Sequence, residues 1–314
     1  MEPFTLVLAN GTTLTGLTNL SGVGGPTSPP FKPLLVGIHG GTYSSAYFDV
    51  DAKHTAALAS NALNVPWVGI DRPGYKGTTS FYPIHPGSSY PEMDGDWLHK
   101  FILPAIWGEF GEPQGCNSMV LLCHSLGVPA AVIAAATLAE EAASPASYPL
   151  SGIILSGFGT QLAAGQGPPQ IAEGSAPPEF ANVPLEIKDA IMLPPGTCDP
   201  SVYEHTARLN THCRFEEVND IHAVWIPRVK VAWAPRVRVP VMIGLAERDC
   251  FWAGNAVHLK DFVAAFTESP SVSAGLIKGA PHNLEMSLWS QGWYARCFGF
   301  ALECAAYFGV ALRT

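Results

Sequence analysis

Apolar residues fall in short runs along this chain, separated by longer mixed or Ala-rich stretches. Leu34 to Ile38, Trp67 to Ile70, Met119 to Cys123, Gly152 to Ser156, Val241 to Leu245 and Val272 to Ile277 show little polar alternation. Such runs predict strands covered on both faces. Between them, Ala52 to Asn61, Pro91 to Trp107, Leu126 to Ala143, Asn255 to Phe266 and Glu285 to Tyr307 predict helices. Strands and helices in alternation imply an α/β fold, a mostly parallel central sheet flanked by helices. Ahead of this series, Phe4 to Leu8 and Thr12 to Leu17 flank Asn10-Gly11, which predicts an opening hairpin.

Between Ser156 and Val239 the alternation stops for longer than an ordinary connection allows. This stretch opens Gly- and Pro-rich, from Gly157 to Pro178. It continues with helix-like pieces at Leu185 to Met192, Pro200 to Asn210 and Glu216 to Val224. The expected organisation is a core of residues 1–157 and 236–314, interrupted by a lid insertion over 158–235.

Composition narrows the possibilities. At 314 residues and 47% apolar, the chain has enough material for one large domain with an insertion. A net charge of -9 argues against nucleic acid or an anionic membrane surface as partner. No run reaches the roughly 18 apolar residues of a membrane span. The richest stretch, Trp293 to Leu312, is broken by Arg296 and Glu303 and reads as a C-terminal core helix. The first residues carry neither a basic region nor a long apolar run, so no secretory signal is expected. Seven cysteines, an odd number without a Cys-x-x-Cys pair, favour a reduced, cytoplasmic protein without a zinc site. One or two disulfides stay open at this level, and oligomeric state is not readable.

Candidate chemistry sits where strands end. Ser125, in Leu121-Leu122-Cys123-His124-Ser125-Leu126-Gly127, lies between a strand and a long Ala-rich helix. That is the layout of a nucleophile elbow, a sharp turn that lifts a serine hydroxyl out of the sheet. A serine hydroxyl needs a base and an acid to become nucleophilic, and both follow in order. Asp249 closes the loop after Val241 to Leu245, with Glu247 as a rival carboxylate in the same loop. His282 follows the last strand, in Gly279-Ala280-Pro281-His282-Asn283. Upstream, the strand at Leu34 runs into His39-Gly40-Gly41-Thr42, a turn suited to offering backbone N–H groups to an oxyanion.

These four motifs, with Asp71-Arg72-Pro73-Gly74-Tyr75 after the strand at Trp67, resemble the α/β-hydrolase fold over nearly the whole chain. The resemblance implies Ser125 as nucleophile, His282 as base and Asp249 as acid, since the family's acid occupies the later position of its loop. It maps the oxyanion hole to the N–H of Leu126 and that of Gly41 or Thr42. Two positions depart from the family's pattern. Cys123 stands where Gly is usual before the serine, implying tighter packing behind the turn, and Ala246 replaces a Gly in the acid loop. His124 and His39 read as packing and hydrogen-bonding residues. The implied activity is a serine esterase, lactonase or thioesterase working through an acyl-enzyme, with no metal or organic cofactor. The alternatives are a lyase, cyclase or acyltransferase acting on a biosynthetic intermediate of secondary metabolism, or a silent small-molecule-binding protein. Lids of this family wall the pocket with apolar side chains. Tyr43, Tyr47, Phe48, Phe180, Met192, Tyr203, Phe215, Trp225 and Trp233 are the candidates, pointing to an apolar small-molecule substrate.

Overall fold

The computed structural model describes residues 1–20, 30–141, 146–171, 175–181 and 183–312. Its strands are β1 (Glu2–Val7), β2 (Thr13–Asn19), β3 (Pro33–Ile38), β4 (Trp67–Ile70), β5 (Ser118–His124), β6 (Leu150–Ser156), β7 (Phe180–Ala181), β8 (Cys213–Arg214), β9 (Val241–Arg248) and β10 (Val272–Pro281). Eight of them form one sheet in the order β1-β2-β4-β3-β5-β6-β9-β10, while β7 and β8 pair separately. β1 and β2 form the expected hairpin, and β2 meets β4 antiparallel. From β4 to β10 all neighbours are parallel.

The lack of alternation in the strands has a direct cause. Leu34, Val36 and Ile38 of β3 enter one apolar core, and Leu35 enters the core on the opposite face. β5 divides likewise: Met119, Leu121 and Cys123 face one way, Val120 and Leu122 the other. The first core is closed by helix Gly127–Glu140, the second by the C-terminal helix Ser290–Ala311. Positions 142 and 143 of the helix expected from Leu126 to Ala143 lie outside the described residues.

Parallel register brings the functional loops together. Ile38 pairs with both Ile70 and Cys123, His124 with Ser156, and Ser156 with Gly244. The strands thus end nearly level, and the segments after β3, β5, β6, β9 and β10 leave from one edge, where open α/β sheets bind ligands.

Two helices begin later than their composition suggests. Asp51 Oδ1 accepts the N–H groups of Lys53 (2.7 Å) and His54 (2.8 Å), so the chain turns there and helix Ala57–Leu63 starts downstream. Near the C-terminus, Leu284–Met286 forms an isolated helical turn. Ser287 then bonds back to the Leu284 carbonyl and accepts from the Trp289 N–H before the long helix starts.

The insertion between β6 and β9 contains helix Leu185–Met192, the turns around Pro200–Glu204, and helix Phe215–Asp220 continuing through Ile221–Trp225. Its inner residues Ile221, Trp225, Val229 and Trp233 join the same apolar core as helix Gly127–Glu140. The buried Arg72 ties it down further, donating to Asp94 of the core (2.8 Å) and to Glu217 of the insertion. Tyr75 donates to the other oxygen of Glu217 at 2.7 Å.

Candidate active site

Ser125 follows β5 in the left-handed region, at φ +48°, the conformation a strand-to-helix elbow requires. Such a turn needs close neighbours, and two glycines provide room. A Cβ on Gly40 would lie 2.8 Å from the Cβ of Ser125, and one on Gly127 would lie 2.7 Å from the His39 carbonyl oxygen. The elbow and the turn after β3 therefore touch backbone to backbone. Cys123 fits behind them fully buried, which pushes its thiol pKa well up and leaves it an inert packing group.

The Ser125 hydroxyl lies 3.0 Å from Nε2 of His282, and Nδ1 of His282 lies 2.9 Å from Oδ2 of Asp249. The remaining Asp249 oxygen accepts the N–H groups of Phe251 (2.9 Å) and Trp252 (3.0 Å). Asp249 thus orients the imidazole while its own loop fixes the carboxylate. Glu247 turns away, bonded to Lys278 (2.6 Å) and to the N–H of Gly279 (2.9 Å), which hold its pKa down. Of the two carboxylates in this loop, only Asp249 meets His282.

The turn His39–Thr42 is fixed from beneath. His39 Nδ1 lies 2.7 Å from the Gly40 carbonyl, and its Nε2 accepts the Arg72 N–H at 3.1 Å. These partners require a neutral ring protonated at Nδ1, in keeping with burial lowering its pKa. Among the described residues, the N–H groups of Gly41, Thr42 and Leu126 make no backbone hydrogen bond. They border Ser125 at the start of helix Gly127–Glu140, whose N-terminus favours negative charge.

These residues floor a cavity of about 170 Å³. Leu126, Phe251 and Trp252 wall it from the core side, and Phe158, Ala181, Val183, Met192, Cys213, Val218, Ile221 and His222 from the insertion. Among the described residues, no Lys, Arg, Asp or Glu lines it. His222 has no hydrogen-bond partner among the described residues, and burial lowers its pKa.

A sequence profile described as "Alpha/beta hydrolase family" matches residues 35–290. The chain belongs to this family. No curated protein matches it by sequence. Among solved structures, a lipase-esterase related protein from Clostridium acetobutylicum is similar with a TM-score of 0.58 at 11% identity, covering 94% of this chain and 100% of that one. The enol-lactonase from Burkholderia xenovorans LB400 gives 0.57 at 14% identity, with 96% and 100% covered. Est1E from Butyrivibrio proteoclasticus, solved with ferulic acid bound, gives 0.57 at 14%, with 96% and 99% covered. At these identities the likeness is one of fold.

Within that family fold, the aromatic residues expected around the substrate mostly lie elsewhere. Met192 reaches the cavity, but Tyr43, Tyr47, Phe48, Phe180, Tyr203, Phe215, Trp225 and Trp233 are absent from its lining. Trp225 stacks on Trp233 at 6.0 Å and donates to the Gly159 carbonyl, and both rings pack into the apolar core. Tyr47 stacks on His124 and donates to the buried Glu285 at 2.7 Å. Tyr43 accepts from Asn283, Tyr203 donates to the Leu193 carbonyl, and Phe180 packs under Arg214.

Phe158, Phe251 and Trp252 take the wall positions instead. All three directly follow β6 or the acid position, so the signal was their place after the carboxyl ends of strands. A second layer lies behind His282. Glu285, fully buried with its pKa raised by that burial, accepts from Ser156 (2.6 Å), Tyr47 (2.7 Å) and Trp293 (2.8 Å). His124 lies 3.3 Å from it, with burial holding the imidazole pKa low. These contacts account for His124 as a packing residue.

Proposed function

We propose that the protein is a serine hydrolase that cleaves an ester, thioester or lactone of an uncharged, largely apolar small molecule. The observation that carries this reading is the unbroken line from the Ser125 hydroxyl, at the cavity floor, through His282 to Asp249. His282 takes the proton of Ser125 as its oxygen attacks the carbonyl carbon. The N–H groups of Leu126 and of Gly41 or Thr42 receive the developing oxyanion. Collapse breaks the bond to the leaving group, which takes the proton from His282. Water then attacks the acyl-enzyme, gives its proton to His282, and the acid departs as Ser125 recovers the proton. Asp249 stabilises the imidazolium in both halves.

The segment 158–235 serves as a fixed lid, and its apolar wall selects the acyl or alcohol group. A lining without charged side chains favours a neutral substrate, because an ionised group would lose hydration without gaining a partner. Seven unpaired cysteines support a reducing, cytoplasmic setting.

The test is intact-mass analysis after treatment with a fluorophosphonate probe, beside Ser125→Ala. One adduct on the wild type and none on the variant is expected, and a folded wild type that stays unlabelled would overturn the reading. Product masses from an ester and lactone panel then separate hydrolysis, which adds water, from transfer or cyclisation, which does not.

A further inference from the structure

The lid reaches the oxyanion turn with a buried lysine. Lys188, on helix Leu185–Met192, is shielded completely from solvent. Its Nζ donates to the Thr42 carbonyl at 3.0 Å and to Asn210 Oδ1 at 2.7 Å, and lies 3.7 Å from the centroid of the Tyr43 ring. Thr211 adds two bonds, its N–H to the Thr42 carbonyl (3.0 Å) and its hydroxyl to the Tyr43 carbonyl (2.8 Å). Lysine is almost never fully buried without partners, because its ammonium gives up hydration. Here the partners converge on one short piece of backbone.

That backbone needs holding. Thr42 has φ +62°, in the left-handed region. For a β-branched residue this conformation is strained and persists only where the surroundings enforce it. A change in φ of Thr42 turns its Cα and carbonyl against the peptide that carries its N–H. With the carbonyl pinned from the lid, that peptide has one orientation beside Ser125. A released Thr42 would relax and swing the N–H away.

We propose that Lys188 is a positioning residue for acyl transfer: from the lid it pins the Thr42 carbonyl, holds Thr42 left-handed, and keeps the turn's N–H groups aimed at the oxyanion. This rests on the reading of Ser125 as the acyl-forming nucleophile. It also makes the lid helix Leu185–Met192 part of the oxyanion device, so this helix stays docked through turnover.

The experiment compares wild type, Lys188→Met and Asn210→Ala, the last altering an exposed residue. It measures kcat and KM on a p-nitrophenyl ester, the rate of phosphonylation by a fluorophosphonate, and hydrogen exchange of the peptide spanning 40–43. In Lys188→Met, kcat and the phosphonylation rate are expected to fall together by about 10 to 100-fold, the scale of a small misplacement of catalytic groups. KM should stay within about 2-fold, as for an interaction made only in the transition state. Exchange at 40–43 should quicken, and Asn210→Ala should show the same pattern to a smaller degree.

A folded Lys188→Met with wild-type kcat, or one whose loss lies wholly in KM, overturns the proposal. Should Lys188→Met fail to fold, Asn210→Ala decides, and unchanged kcat with unchanged exchange is the overturning result. Should the wild type neither label nor hydrolyse, the hydrolase reading has failed, and exchange alone judges the clamp: faster in the variants supports it, unchanged overturns it.

Discussion

Ser125, Asp249 and His282 stand just past strands whose ends are set level by parallel pairing, whereas Lys188 and Glu217 come from an insertion with only a two-residue ribbon of its own. The first group gets its geometry from the backbone: an elbow at φ +48°, a loop that caps its own carboxylate, a histidine after the last strand. The second gets its place from buried charge, Lys188 on the Thr42 carbonyl and Glu217 on Arg72. On the sheet side the strand ends and their loops preset the geometry. An insertion with little sheet must be fastened, and here buried polar contacts of Lys188 and Glu217 add to the apolar packing of Trp225 and Trp233.

The contrast predicts that changes on the two sides fail in different ways. The largest effect falls on the sheet side. Ser125→Ala should lower kcat by about 10⁴ to 10⁶-fold if the triad acts as a unit. It should not lower the unfolding free energy, since active-site groups are held for function and not for stability. Steady-state kinetics beside a urea titration checks both. A loss of stability as large as that of the lid variants would erase the distinction.

Next comes the acid. Asp249→Asn should cost about 10⁴-fold in kcat, because the imidazole loses the partner that fixes its tautomer. Glu247→Gln should stay within about 2-fold, since a surface ion pair such as that with Lys278 contributes little. Equal losses in the two variants would mean that the acid loop rearranges during turnover and that the backbone does not preset it.

On the lid side, Glu217→Ala leaves the Arg72 guanidinium and the Tyr75 hydroxyl short of an acceptor in the interior. Breaking a buried pair from one side typically costs about 3–5 kcal/mol. The urea midpoint should therefore move sharply while KM for a small ester changes little. A variant as stable as wild type would show that apolar packing of Trp225 and Trp233 suffices to dock the lid.

Legibility in the sequence divides along the same line. Continuous apolar runs marked the inner strands because residues such as Leu35 and Val36 enter opposite cores and no polar face is left, whereas β10, at the sheet edge, keeps Ser273, Ala274 and Lys278 exposed. Ser125, Asp249 and His282 were readable as residues just beyond those runs. Hydrophobicity alone did not say which of two apolar environments an aromatic side chain enters. Trp225, Trp233 and Tyr47 therefore looked like cavity walls, yet the two tryptophans fill the core and Tyr47 stacks on His124 beside Ser125. Lys188 gave no signal, because a lysine on an amphipathic helix reads as a solvated face until the tertiary structure encloses it. Helix Ala57–Leu63 starts late for a similar reason, since the Asp51 carboxylate competes for backbone N–H groups that composition alone would assign to a helix.

The smallest expected effect tests whether the lid's fastening carries charge. Burial pushes the Lys188 ammonium down from the ordinary 10.5 to about 7, against the opposing pull of Asp189. The groups around it are Asp189, Cys213, Tyr43 and Asn210. Of these, burial raises the Cys213 thiol and the Tyr43 hydroxyl well above their usual ranges, so both stay protonated through mild alkali. Between about pH 7 and 10.5 the unfolded chain holds a proton on Lys188 that the folded chain has released. Stability linked to this residue therefore rises as pH rises through that window, and below pH 7 the cost of burying the charge is present in full. A step from pH 7 to pH 8 should stabilise wild type by about 1 kcal/mol more than Lys188→Met, near the 1.4 kcal/mol that one unit of separation allows. Urea unfolding of both proteins at the two pH values gives the difference directly. An equal response would mean that the Lys188 ammonium keeps its proton in the fold, so that Asn210, the Thr42 carbonyl and the Tyr43 ring fully offset its burial and the clamp is a permanent cation.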